Sequence, residues 1–358
     1  MSTPAKATNR AFLQLLDEAM KKGSSDLHIQ AGTPPMIRLD GELTPLQEEI
    51  LTAEYCDELL GDFLGQVRRE SLVETKREQD FSFGYEDVRI RANVFLQRGS
   101  MAASLRLLPG VIRTMEELGL PEVASRMIEQ NQGLIIVAGP TGHGKSTTLA
   151  AMVDSLSSRR KARIITIEDP IEYVFKNKKS VITQREVGGD TQSFAHALRA
   201  AYREDPDIVL VGEMRDLETM EAALQIAETG HLVLTTLHTN SAAQTANRII
   251  DVFPPHQQDQ IRVILAEVLV GIFSQRLLPK LSGGRVLAAE VLLATPAVRS
   301  LIREGKTHQL PNLISTSVAD GMISLDKRLA ELISKGEISL EEGLAWSLDP
   351  RTLRTMIY

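Results

Sequence analysis

Eight consecutive residues, Gly139-Pro140-Thr141-Gly142-His143-Gly144-Lys145-Ser146, have the form G-x-x-x-x-G-K-S. An apolar run from Leu134 to Ala138 precedes them, and a helical pattern from Lys145 to Leu156 follows. Glycines at these positions let backbone N–H groups turn inward around a phosphate, and the N-terminus of the next helix adds partial positive charge. Lys145 can then reach the β- and γ-phosphates of a nucleotide, and the Ser146 hydroxyl can ligate Mg²⁺. A glycine-rich turn with a chance lysine would require neither the strand before nor the helix after. The context therefore favours a nucleotide site.

Holding phosphate is not hydrolysis, which needs placed carboxylates and further cations. The segment Ile208-Val209-Leu210-Val211-Gly212-Glu213 reads as a buried strand ending in an acid. At the C-terminal end of a parallel strand, Glu213 lies on the ligand side and suits the Mg²⁺ shell, directly or through water. A second strand leads into Glu168-Asp169-Pro170-Ile171-Glu172. Up to three carboxylates are thus expected on one edge, where one could orient an attacking water; spacing alone does not say which. His231 and His238 bracket the apolar run Leu232 to Leu237. Their odd separation puts them on opposite faces of a regular strand and argues against a shared metal. His238 falls at the ligand end, within reach of the γ-phosphate, and His231 enters at the far end, where a structural role fits. Arg89 and Arg91 alternate with apolar neighbours, and Arg106 follows on the next strand. They are candidate cations for phosphoryl transfer, although alone such a stripe reads as a solvated face.

These groups must be positioned by two kinds of architecture. Up to about Leu108 the chain mixes helix and half-buried strand. Phe12, Leu15, Leu16 and Ala19 recur at helical spacing before Gly23. Met36 to Leu39 and Glu42 to Leu46 flank an Asp40-Gly41 turn. Ile90, Ala92, Val94 and Leu96 alternate with Arg89, Arg91 and Asn93. Residues 109–121, bracketed by Pro109 and Pro121, read as a linker. Beyond it, short apolar runs at Leu134–Ala138, Ile164–Ile167, Ile208–Val211 and Leu232–Leu237 alternate with helices at Lys145–Leu156, Phe194–Arg203 and Leu217–Ala227. That rhythm predicts an α/β domain with a mainly parallel twisted sheet. From Ile261 the chain reads as mostly helical. The expected division is 1–108, a linker at 109–121, and 122–358 with a helical region from about 281.

Composition narrows the classes. A single cysteine, Cys56, excludes an internal disulfide or a multi-cysteine zinc site and suits a reducing cytoplasm. No apolar run approaches the roughly 18 residues of a membrane span, and the polar, basic Met1 to Arg10 does not resemble a signal peptide. A formal charge of −7 argues against nucleic acid as the main partner.

Taken together, the motifs resemble the type IV pilus retraction ATPases, the PilT family of the type II/IV secretion ATPase superfamily. The resemblance runs from Ser25-Asp-Leu-His28 to Ala297-Val-Arg-Ser-Leu-Ile-Arg-Glu304. It includes Gly139 to Thr148 with Thr147, Ile165 to Glu172, Gln184-Arg-Glu-Val187, Arg203-Glu-Asp-Pro-Asp207, Val211 to Asp216, Ala227 to His231 and Thr236 to Thr239. It implies a PAS-like N-terminal domain, a RecA-like P-loop domain, a homohexamer, and ATP with Mg²⁺ as cofactors. It further implies an inner-membrane pilus platform protein as partner, an accessory ATPase paralogue as another, and a cytoplasmic position peripheral to the inner membrane. By the same resemblance Glu172 activates water, Glu213 is the Walker-B glutamate, and His231 and His238 form a histidine box. Arg89, Arg91 and Arg106 approach the phosphates, and the segment Ala297 to Glu304 is a retraction helix. On that helix Val298, Leu301 and Ile302 form an apolar stripe, and Arg299 and Arg303 are expected to project away from it.

This sequence departs from the family pattern at His143, where a small serine is usual. Gly188-Gly189 leans toward the accessory paralogue, PilU, and the Arg203 and Val211 stretches lean back toward retraction. Pilus-assembly ATPases carry a four-cysteine zinc insertion, which a chain with one cysteine does not have. Two other readings are a RecA-like nucleic-acid motor and a non-hydrolysing accessory ring subunit. The acidic charge weighs against the first, and the intact Lys145, Glu172 and Glu213 weigh against the second.

Overall fold

Alternating and continuous apolar patterns sort this chain into two units, Met1–Val111 with Pro170–Val174, and Ile112–Asp169 with Phe175–Tyr358. The computed structural model describes residues 10–39, 41–72, 78–86, 88–108 and 110–357. Met1 to Asn9, Asp40 of the expected turn and Pro109 of the expected linker lie outside them.

In the first unit α1 (Arg10–Lys21) buries Phe12, Leu15, Leu16 and Ala19, the stripe its spacing demands. Six strands follow: β1 (Asp26–Ile29), β2 (Met36–Leu39), β3 (Glu42–Pro45), β4 (Glu78–Tyr85), β5 (Val88–Gln97) and β6 (Ser100–Leu107). They pair antiparallel in the order β3-β2-β1-β6-β5-β4, and α2 (Ala53–Ser71) lies between β3 and β4 in sequence. Ile90, Ala92 and Val94 of β5 join Leu105 of β6 and the α1 stripe in one core. Arg91 is exposed on the other side of the alternation and stands directly opposite Arg106, which itself stands opposite Asp26.

The second unit is built on a seven-stranded sheet in the order β13-β12-β7-β11-β10-β8-β9. Its central strands are β7 (Gly133–Ala138), β8 (Arg163–Glu168), β10 (Ile208–Val211) and β11 (Leu232–Leu237), with β9 (Val181–Glu186) at one edge. Every pairing is parallel except that of β12 with β13. Strands buried on both faces need apolar side chains in both phases. Leu134 and Ile136 pack with α5 (Phe194–Ala201), α6 (Leu217–Glu228), α7 (Ala242–Asp251) and α8 (Pro255–Val268). Ile135 and Val137 face the layer of α3 (Val123–Ile128) and α4 (Lys145–Arg159). Met115, within residues 109–121, is buried in that second layer.

The chain beyond Ile261 departs from its expected helical character. After α8 come two long strands, β12 (Leu269–Pro279) and β13 (Arg285–Leu293), which extend the sheet past β7. The run Leu269-Val270-Gly271-Ile272-Phe273 is apolar in both phases, and periodicity cannot separate such a buried strand from a buried helix. Gly271 settles the matter physically, because a Cβ there would come within 2.5 Å of the Leu292 carbonyl oxygen on β13. Helices resume with α9 (Pro296–Arg303) and α10 (Leu310–Thr316). Finally α11 (Leu325–Ser334), α12 (Leu340–Trp346) and α13 (Pro350–Ile357) pack beside Leu278 and Ala288 of the hairpin. Among the described residues no helix is long and apolar enough to cross a membrane.

Helix α9 corrects a second expectation. Val298 and Ile302 are buried as the stripe requires, but Arg299 does not project outward. Its guanidinium donates to the carbonyls of Ala266, Glu267, Leu269 and Ala294. Three of these end α8 and open β12, where a helix leaves carbonyls without intrahelical partners. A cation there also meets the negative end of the helix dipole. Arg299→Ala should therefore destabilise the second unit by about 1.5–3 kcal/mol, the scale of lost hydrogen bonds to a charged group. Exposed Arg303→Ala should stay within about 0.5 kcal/mol. Urea unfolding followed by the emission of the single tryptophan checks this, and equal midpoints for the two variants would refute the clamp.

Candidate functional site

The sharp loop 139–144 connects β7 to α4 where strand order turns about β7, with β11 on one side and β12 on the other. Crevices at such switch points, beyond the carboxyl ends of parallel strands, are where open α/β sheets hold ligands. Gly139 has φ +148°, and a Cβ on it would lie 2.5 Å from the Gln275 carbonyl oxygen of β12. Only glycine lets β12 run this close behind the loop. Gly144 takes the left-handed conformation as N-cap of α4, which leaves the first N–H groups of the helix aimed at the crevice.

Lys145, the first residue of α4, is only 8% exposed, so its ammonium needs acceptors. Nζ donates to the Gly139 and Pro140 carbonyls, each at 2.9 Å. It also lies 3.4 Å from His238 Nδ1, which the Thr141 hydroxyl approaches at 3.3 Å. An ammonium can only donate, so Nδ1 accepts and Nε2 carries the proton. That Nε2 is 3.2 Å from Glu213 Oε1, and Arg215 Nε is 2.9 Å from the other oxygen, Oε2. Lys145, His238, Glu213 and Arg215 thus form one line across the ends of β7, β11 and β10. Glu213 is fixed from below, since Thr236 Oγ1 donates to the Gly212 carbonyl at 2.6 Å and Met214 N–H to the Thr236 carbonyl. Ser146 and Thr147 follow at the start of α4, both half-buried. For a divalent cation the donor set is a helix-start hydroxyl and one oriented carboxylate. That fits Mg²⁺, which takes one or two protein oxygens and fills its octahedron with water and substrate phosphate.

The remaining candidates fall elsewhere. Glu168, at the end of β8, accepts from Thr166 Oγ1 at 2.7 Å and Gln184 Nε2 at 3.2 Å. Asp169 is exposed beside it, while exposed Glu172 sits within Pro170–Val174, which groups with the first unit. The three acids therefore do not form one cluster within the second unit. His231 lies at the opposite end of β11 from His238, roughly 20 Å away for a strand of that length. Its Nδ1 is 3.1 Å from the Ile226 carbonyl and 3.2 Å from Thr229 Oγ1, at the turn closing α6. Within one chain it does not reach the phosphate loop, so its place among the catalytic groups is not supported there, and the structural alternative fits. In the first unit, Arg89 donates to Ser82 Oγ at 2.8 Å and Arg106 Nε to Asp26 Oδ1 at 3.0 Å.

Two residues that sequence reasoning missed support the loop from β12. Gln275 accepts from Thr148 Oγ1 at 3.0 Å and donates to the His143 carbonyl at 2.7 Å. Leu277 N–H donates to His143 Nδ1 at 3.0 Å. The available signal was polar Gln275-Arg276 inside an apolar strand. Arg276 is buried and grips the Asn240 carbonyl at 2.9 Å, two residues past His238. Its neighbour on β13, Glu290, accepts from Ala242 N–H, the first residue of α7, at 2.6 Å.

The chain matches the family described as type II/IV secretion system protein over residues 4–284. It is 49% identical over 331 residues to the type IV pilus retraction ATPase PilT of Pseudomonas aeruginosa, spanning 92% of this chain and 96% of that one. To the type IV pilus ATPase PilU of the same organism it is 40% identical over 348 residues, spanning 97% and 91%. A crystal structure of the pilus retraction motor PilT with bound ADP matches at a TM-score of 0.88 and 49% identity, over 96% of this chain and 98% of that one.

Glu290 gives the site's surroundings a pH dependence. Burial pushes its pKa up to about 7 from an ordinary 4.5, against the Ala242 N–H and Arg276, and Asp326 adds to the rise. A carboxyl raised by folding binds its proton more tightly in the native state. Its contribution is therefore fully present below the unfolded value and is lost as pH rises from about 4.5 through about 7. Glu290→Gln keeps Oε1 as acceptor for Ala242 and cannot ionise. Urea midpoints taken at about pH 5 and pH 8 should fall more steeply in the natural chain than in this variant. Parallel falls would show that Glu290 does not titrate in that window.

Proposed function

This chain belongs to the type II/IV secretion system protein family, and we propose that within it the protein is a hexameric motor ATPase coupling ATP hydrolysis to type IV pilus retraction and so to twitching motility. The observation that carries the enzymatic part is the line from Lys145 through His238 to Glu213 at the mouth of the phosphate loop. The greater identity to PilT than to PilU supports the retraction motor over the accessory paralogue.

In this reading the loop N–H groups of Gly139 to Ser146 and the start of α4, with Thr147, receive the phosphates. Lys145 moves its ammonium from the loop carbonyls to the β- and γ-oxygens. His238 Nδ1 then exchanges the ammonium for the Thr141 hydroxyl as its donor, which makes this ring the reporter of an occupied γ-position. Ser146 and Glu213 are the groups that would hold Mg²⁺, which when bound neutralises charge on the β- and γ-oxygens. Glu172 orients the attacking water. Arg89, Arg91 and Arg106 supply positive charge as negative charge moves in the transition state. Arg91 and Arg106 stand opposite one another in register, a destabilising like-charge pair, and an anion between them would relieve that repulsion. Residues 1–108 form the PAS-like domain, 109–121 the linker and 122–358 the ATPase domain. The ring acts at the cytoplasmic side of the inner membrane on a platform protein, with an accessory paralogue as a second partner and no nucleic acid.

Lys145→Ala should abolish hydrolysis by the purified protein, since the loop has no second side chain able to neutralise the β/γ oxygens. A strain lacking the protein should lose twitching while carrying surplus surface pili. Bald cells would identify an assembly motor instead, and near-normal turnover by the Lys145 variant would sink the nucleotide site. Glu172→Gln separates chemistry from binding: ATP affinity should persist while turnover falls by about 10²–10⁴, the range of a lost general base. Normal turnover in this variant would move the water-orienting role to another carboxylate.

A further inference from the structure

The phosphate loop is touched by the far end of the chain. Trp346, the last residue of α12, meets the His143 ring edge-on, with centroids 5.0 Å apart and planes at 66°. The Arg276 guanidinium carbon lies 5.6 Å from the centre of the same indole. Both partners belong to the nucleotide machinery. His143 is tied to β12 twice, through its carbonyl to Gln275 and through Nδ1 to Leu277. Burial first, then Arg276, Lys145 and Arg285, hold its pKa below the ordinary histidine value, which keeps Nδ1 an acceptor. Arg276 holds Asn240, on the loop that carries His238.

The indole is itself held in place. Its Nε1–H donates to Glu342 Oε1 at 2.9 Å, one turn back on α12. Just after it, Asp326 of α11 accepts from Ser347 Oγ, Leu348 N–H and Asp349 N–H, which pins the connection to α13. A stiff aromatic wedge therefore joins α11–α13 to the loop's tip and to the segment that follows β11. We propose that Trp346 is a positioning residue for the phosphate loop: packed on His143, it links nucleotide occupancy to the docking of the C-terminal helices. Coupling of this kind is reciprocal, so whatever pulls on those helices also changes nucleotide affinity. The inference rests on reading the loop as the nucleotide site.

The chain has one tryptophan, so its emission reports this contact directly. The full-length protein is titrated with ADP while binding is followed separately by equilibrium dialysis. Tryptophan emission should change in a saturable way, with a midpoint matching the dialysis Kd. In His143→Ser the emission change per ADP bound, with occupancy set from dialysis, should shrink to less than about a third, since the ring contact is gone. In turnover assays Trp346→Ala should raise KM for ATP about three- to tenfold, the scale of one aromatic contact, with kcat within about twofold. Trp346→Phe should restore KM. Bound ADP with unchanged emission overturns the coupling, as does an undiminished response in His143→Ser. Should Trp346→Ala fail to fold, the emission arm still decides. Failure to bind ADP at all would sink the nucleotide reading and this inference with it.

Discussion

A nearly buried ammonium is the constraint around which the second unit is arranged. Lys145 can be buried only because the chain reverses sharply enough at Gly139 and Pro140 to offer two carbonyls to it. That reversal requires a glycine where β12 runs behind the loop, and β12 can run there only because Gly271 admits the β13 backbone. The parallel strands then bring Glu213 and His238 to the same edge. Each requirement passes to the next through backbone contacts with no room for a side chain.

Polar residues inside the hairpin of β12 and β13 serve the site by holding it from behind. Gln275 bridges Thr148 and the loop, Arg276 holds Asn240, and Glu290 caps α7. Buried groups of this kind are costly unless every partner is present. Their geometry accordingly fixes one arrangement of the loop, β11 and the C-terminal helices. Purely apolar contacts would allow these elements to slide.

Much of this was legible in the sequence because local rules and tertiary demands agree there. The α1 stripe, the alternation in β5, and the strand–loop–helix around Lys145 each bury what their periodicity says they should. The strands Ile208–Val211 and Leu232–Leu237 fell where their apolar runs put them, and the α/β class with a mainly parallel sheet followed. What was hidden depends on contacts distant in sequence. The β12 run is apolar in both phases and has no period to read. Arg299 looks like any outward arginine until α8 ends beneath it. Trp346 lies more than 200 residues from His143, and no local pattern announces that an indole will meet a loop. Glu172 sits only four residues past Glu168, yet it groups with a different unit. Spacing therefore could not say which acids share an edge.

The row of charges across the first sheet has a consequence for how ionic conditions act on the protein. Arg38, Asp26, Arg106 and Arg91 stand side by side across β2, β1, β6 and β5, three cations to one anion. Arg38 with Asp26 and Asp26 with Arg106 attract, Arg106 with Arg91 repels, and dissolved salt screens all three pairs. The same salt weakens the attraction of the row for any anion. Added salt should therefore loosen the two attractive pairs of the row more than it relieves its one repulsive pair.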